Sequence, residues 1–194
     1  LMMKKTMLLY GAILGTLLLA VPQVALGANN SLKDPSFDQQ LPADQGGWVL
    51  FDYSKFSSDE ARSGEQSVFH WGYSRTVPFP AFLDGSASGS YQEFVAAPGS
   101  QWRLTGYGKT PAKLEGTPAF GIVQVSFFDS AGRDLGTVET AGNTTTRARI
   151  SNDVNSQSPV GEWVFLDTGV ATAPEGTATV QAFTLFVDYS GSGV

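Results

Sequence analysis

The chain has 194 residues, no cysteine, one histidine and a net charge of −6 at neutral pH. The missing cysteine excludes disulfide staples, thiolate metal sites and thiol nucleophiles, and the acid excess gives no general attraction to nucleic acid or to an anionic membrane. Neutral partners stay open, polysaccharide first among them, although the acids also serve solubility alone.

Lys4 and Lys5 precede an apolar run over residues 7–20, and Ala25-Leu26-Gly27 sets small residues ahead of Ala28. This pattern predicts a secretory signal peptide over residues 1–27, because the run is short for a membrane anchor and turn-forming sequence follows at once. No later stretch has the length and apolarity of a membrane span. The expectation is a secreted or cell-surface protein whose residues 28–194 form one domain.

From there on, Gly, Ser, Thr and Pro punctuate short runs rich in Val, Phe, Tyr, Trp and Thr, and no segment sustains a 3.6-residue apolar period. Strands are predicted over 47–53, 66–71, 90–95, 101–109, 120–128, 163–168 and 178–187. In 101–109, alternation turns Trp102, Leu104 and Gly106 one way and Arg103, Thr105 and Tyr107 the other. In 120–128, Val123, Val125 and Phe127 alternate with Gln124 and Ser126, and Asp129-Ser130-Ala131-Gly132 closes the strand as a turn. Such a series implies an all-β antiparallel β-sandwich, and its long strands with unequal loops suit jelly-roll topology. Two loops exceed what short turns need. Residues 73–89 carry aromatics, and residues 139–159 are polar and nearly free of large apolar side chains.

Binding a sugar demands a flat aromatic to stack on a pyranose face, with amide, carboxylate or guanidinium groups for its hydroxyls. Tyr107 and Arg103 qualify by outward alternation, and Gln124 joins them if its strand lies adjacent. Trp71, Tyr73, Phe79 and Phe82 qualify through the loop that would overhang one edge of a cleft; Phe79 and Phe82 equally suit pinning that loop. Catalysis finds little support. His70 is the lone histidine, and neither a Gly-x-Ser-x-Gly elbow nor a His-Glu-x-x-His run occurs. Glu93 and Glu115 are the acids to inspect for glycoside hydrolysis, whose carboxylate spacing only a structure shows.

An ordered series runs along the chain: Asp34-Pro35-Ser36-Phe37-Asp38, Gly47-Trp48, the stretch from Ala61 to Ser67, Tyr91-Gln92, Pro98-Gly99, Trp102 to Thr110, Phe127-Phe128-Asp129, Gly161-Glu162-Trp163 and Ala173 to Ala178. It resembles the carbohydrate-binding modules of the family 4/9 and 22 type, within the galactose-binding-domain-like β-sandwiches. The resemblance implies a non-catalytic module that targets or adheres to polysaccharide or cell-surface glycan, with Trp48, Trp102 and Trp163 as packing residues. A cell-surface or extracellular structural protein with the same sandwich and no sugar binding is the rival. It further implies a structural calcium, for which Asp38, Asp34 and backbone near Ser63 are the candidates, Asp38 serving otherwise as a turn-capping acid. The family's final strand is expected where this chain reaches Gly191-Ser192-Gly193-Val194.

Overall fold

β-Branched and aromatic residues between Gly-, Pro- and Ser-rich turns make strands here, and their alternation decides which face each strand buries. The computed structural model describes residues 30–71, 86–114, 119–136, 138–140, 143–145 and 149–188. Among them the regular structure is strand apart from one 3₁₀ turn at Ala43–Gln45. The strands are β1 (Val49–Phe51), β2 (Ser54–Ser57), β3 (Ser67–His70), β4 (Ser86–Val95), β5 (Gln101–Trp102), β6 (Thr105–Gly108), β7 (Ala119–Phe128), β8 (Val138–Thr140), β9 (Asn143–Thr145), β10 (Arg149–Ile150), β11 (Val164–Asp167), β12 (Ala171–Thr172) and β13 (Thr179–Asp188).

One layer is a five-stranded sheet in the order β1-β4-β13-β7-β10, antiparallel throughout. Its centre is β13, which places Ala182 opposite Gln92 on one side and Val125 on the other. Antiparallel pairs β2-β3, β6-β11 and β5-β12 supply the second layer. Between the layers lie Phe127, Val123, Val125, Val180, Ala182, Leu104, Leu166 and Val154, all buried in one cluster. Phe127 has no exposed surface, as its position in the alternating run of β7 requires. The all-β, antiparallel expectation holds.

Two features shape the five-stranded sheet. The Gln92 side chain, 1% exposed, accepts from Lys33 N–H and donates to the Lys33 carbonyl, and so ties the chain entering the domain to β4. Gly89 on β4 has no room for a side chain, because a Cβ there would sit 2.6 Å from the Phe51 ring and 2.8 Å from Leu185. That vacancy lets Phe51 close over the sheet's outer face, 6.4 Å from Tyr91, which is itself 5.6 Å from Phe183.

The expected strand 101–109 is two strands. Between β5 and β6 the partner chain turns at Thr168-Gly169, where Gly169 takes φ +65°. The Thr168 hydroxyl then accepts from Leu104 N–H at 3.0 Å, standing in for a ladder bond. Side-chain alternation survives the break, with Leu104 buried and Arg103, Thr105 and Tyr107 exposed. Trp48 is buried at 5% and Trp102 packs against the core, whereas Trp163 is half-buried and lies outside the core cluster, contrary to expectation.

Candidate functional site

A groove of about 710 Å³ opens along the second layer, lined among others by Phe69, Trp71, Tyr107, Lys109 and Trp163. Its floor reaches the inner face of the five-stranded sheet at Val123 and Thr184, and three elements of the second layer stand beside it. The hairpin β2-β3 presents Tyr53, Lys55, Phe69 and Trp71 outward, while β6 and β11 bring Tyr107 and Phe165 opposite each other with ring centroids 5.2 Å apart. The connection between β2 and β3, residues 58–66, leans over β6. There the Arg62 guanidinium lies 3.5 Å from the Tyr107 ring centroid, and Glu60 forms an ion pair with Lys109, whose ammonium is 5.7 Å from the Trp163 ring.

Trp71 is held at the end of β3 by its own backbone. Its N–H donates to the Tyr53 carbonyl at 3.1 Å, and its carbonyl accepts from the Ser88 hydroxyl at 2.9 Å. Its ring stands 5.7 Å from both Tyr53 and Phe69, and Lys55 lies 5.7 Å over Phe69. The result is an aromatic strip with cations beside it, a surface suited to the apolar faces of sugar rings.

The structure brings Tyr107, Trp71 and Ser63 to the same groove. Arg103 stays on the outward face of the second layer but is committed to Asp167, through 2.8 Å and 2.5 Å contacts that use both carboxylate oxygens. That guanidinium, with the Gly169 N–H, holds the Asp167 carboxyl down to about 2. Gln124 is not a neighbour of Tyr107. Gly106 of β6 faces Val123 of β7 across the core, so Tyr107 and Gln124 leave the sandwich on opposite sides. Gln124 instead donates to Ser126 at 2.7 Å, in line with Phe183 and Tyr91 on the outer face of the five-stranded sheet. Tyr73, Phe79 and Phe82 fall outside the described residues, as does Glu115. Glu93 is exposed on the same outer face as Gln124 and accepts from Gln181 at 2.7 Å.

His70 points inward from β3. Its Nδ1 is 2.8 Å from the Ser54 hydroxyl and its Nε2 is 2.8 Å from the Thr184 hydroxyl, which in turn lies 2.7 Å from Ser90. Burial pushes its pKa down to about 4, so the ring is neutral at physiological pH. With both nitrogens engaged and no carboxylate beside it among the described residues, the histidine joins the two layers.

The three calcium candidates differ. Asp38 Oδ1 accepts from Glu65 and Gln66 N–H at 2.8 and 2.9 Å, contacts that lower its pKa, and its Oδ2 fills the space that a side chain at Gly64 would take. It clamps the turn before β3, as the turn-capping alternative has it. Ser63 is exposed. Asp34 is 5% exposed; its Oδ2 accepts from Gln39 and Gln40 N–H, and its Oδ1 is buried with no hydrogen-bond partner. Among the described residues no three acids or histidines gather as a metal cluster. Of the three, only Asp34 has a spare buried oxygen of the kind a hard cation takes, and carbonyl oxygens would have to complete the shell.

The residues that sequence reasoning missed are Phe69, Arg62, Glu60, Lys109 and Trp163. Arg62 and Tyr107 are distant in the chain, and no local pattern announces that they meet. Trp163 carried a signal, since it directly precedes Val164, which pairs with Gly108, and so falls beside the outward Lys109.

No family model matches the chain, and no curated protein matches it. Among solved structures, it is similar to tailspike protein 4 of bacteriophage CBA120 in its enzymatically active domain, at 15% identity and TM-score 0.45, over 82% of this chain and 20% of that one. It is also similar to the CBM22-1-GH10 modules of the Clostridium thermocellum xylanase 10B, complexed with xylohexaose, at 17% identity and TM-score 0.43, over 74% of this chain and 25% of that one. The C-terminal family 22 carbohydrate-binding module of the same xylanase matches at 14% identity and TM-score 0.42, over 73% of this chain and 82% of that module. The chain thus spans a fifth of the tailspike domain and a quarter of the two-module xylanase chain. At these identities and scores the similarity assigns neither family nor ligand.

Proposed function

We propose that the protein is an exported, non-catalytic carbohydrate-binding module of family 22 type whose groove between β3, β6 and β11 receives a polysaccharide. The observation that carries this reading is the convergence on one groove of Phe69, Trp71, Tyr107 and Trp163 with Glu60, Arg62 and Lys109. Aromatic faces remove the apolar side of a pyranose from water, and the charged groups replace water at its hydroxyls. Arg62 already covers one face of Tyr107, so stacking falls first to Trp71 and Trp163. Affinity is modest, because each contact displaces well-hydrated hydroxyls. A calcium at Asp34, stabilising the fold without touching the glycan, belongs to the same reading.

The test is retention of the purified protein on a panel of soluble and insoluble polysaccharides, followed by titration with the one retained best. Trp71→Ala and Trp163→Ala are each expected to weaken binding roughly tenfold, the effect of losing one stacked aromatic, with melting little changed. Failure of the folded protein to bind any polysaccharide would instead favour an extracellular structural role.

A further inference from the structure

We infer that the groove is built for an acidic glycan and that Arg62 is the residue that recognises its carboxylate; the inference rests on the glycan-binding reading and names its substrate class. The evidence is a contrast between arginines. Arg103 holds Asp167 through two contacts, and Arg133 holds Asp129 at 2.7 Å. Arg62 holds no carboxylate among the described residues, and lies instead on the Tyr107 ring at 3.5 Å. None of the three acids of its own connection pairs with it: Asp59 accepts from the Ser57 hydroxyl at 3.0 Å, Glu60 pairs with Lys109, and Glu65 is exposed. A guanidinium laid on an aromatic face is oriented in advance and keeps its N–H groups, which point around its edge, for a planar partner.

Arg62 is solvent-exposed and lines the groove. The charged groove-lining side chains are Arg62, Lys109 and Lys113 against Asp59 and Glu60, while His70 is neutral. A uronate ring seated beside Trp163 would present its planar carboxylate to this guanidinium in the two-pronged manner that Arg103 uses on Asp167. A neutral sugar would leave the same donors to water.

The experiment compares polygalacturonate, glucuronoxylan and alginate, each with its carboxyl-reduced counterpart, and adds a sulfated galactan. The expected result is that at least one uronate polymer binds about tenfold or more tightly than its reduced form. Arg62→Ala should erase that difference, so that charged and reduced polymers bind alike, with the melting temperature unchanged. Arg62→Lys keeps the charge without the fork, and is expected to recover only part of the difference. Equal binding of charged and reduced polymers overturns the inference and leaves the glycan-binding reading intact, as does a preference that survives Arg62→Ala. A preference for the sulfated galactan over every uronate also overturns it. Binding to none of them overturns the inference, and the wider polysaccharide panel then decides the glycan-binding reading.

Discussion

Asp34 is where burial and hydrogen bonding fail to balance. Its carboxylate is enclosed by the segment it helps fold, since its carbonyl accepts from Trp48 Nε1–H at 3.0 Å and its Oδ2 gathers two backbone N–H groups. The second oxygen is left buried without a donor. Such an atom costs about 1–3 kcal/mol if nothing meets it, and backbone at φ +47° adds strain to the same residue. A calcium ion bound at this oxygen would make melting depend on the ion. At a concentration one hundred times its Kd the ion would add about 2.7 kcal/mol, which for a domain of this size raises the midpoint by roughly 5–10 °C. Melting in calcium and in excess chelator checks this, and coincident curves would assign the oxygen to ordered water instead. Asp38 gives the contrast: Glu65 and Gln66 already satisfy its Oδ1, so the sequence-level likeness of the two acids hides opposite circumstances.

At the scale of elements, the break between β5 and β6 shows how a side chain replaces a ladder bond. Leu104 N–H is buried and its acceptor is the Thr168 hydroxyl, while Thr168 N–H donates back to the Leu104 carbonyl at 3.1 Å. Thr168→Val keeps the shape and removes the acceptor. It is expected to cost about 1–3 kcal/mol in denaturant unfolding, and Thr168→Ser, which retains the hydroxyl, should recover most of that; equal losses in both variants would place the cost in packing. Alternation was legible here in advance, because Leu104 is buried and Tyr107 exposed despite the interruption. The interruption itself was not. It arises from a turn in a partner strand far along the chain, and no pattern within 101–109 records it. β2, β8, β9, β10 and β12 escaped for another reason: Ser54–Ser57 has a single large apolar residue, and Val138–Thr140, Asn143–Thr145, Arg149–Ile150 and Ala171–Thr172 are too short to show a period.

Across the whole molecule, a two-layer sandwich has two outward directions, and sequence alternation does not say which one a polar residue takes. Gln124 and Tyr107 each oppose a buried neighbour, yet their strands belong to different layers, so the pair expected to flank one ligand stands on opposite sides. The same layering gives the molecule an acid-sensitive joint. Ser54 and His70 belong to the β2-β3 hairpin, Thr184 and Ser90 to the five-stranded sheet, and the hydrogen-bonded chain through the imidazole links them. Burial opposes protonation of this ring, and its pKa falls from 6.5 in the unfolded chain to about 4 in the fold. Between those values the unfolded chain binds more protons, so stability is full above pH 6.5, declines as pH falls toward 4, and loses no more to this group below that. The shift corresponds to on the order of 3 kcal/mol across the window. His70→Gln keeps a polar group for the Thr184 hydroxyl without titrating, so its unfolding free energy should lack this slope between pH 6.5 and 4. Parallel profiles for the two proteins would move the acid sensitivity away from the interlayer joint and onto carboxylates elsewhere in the fold.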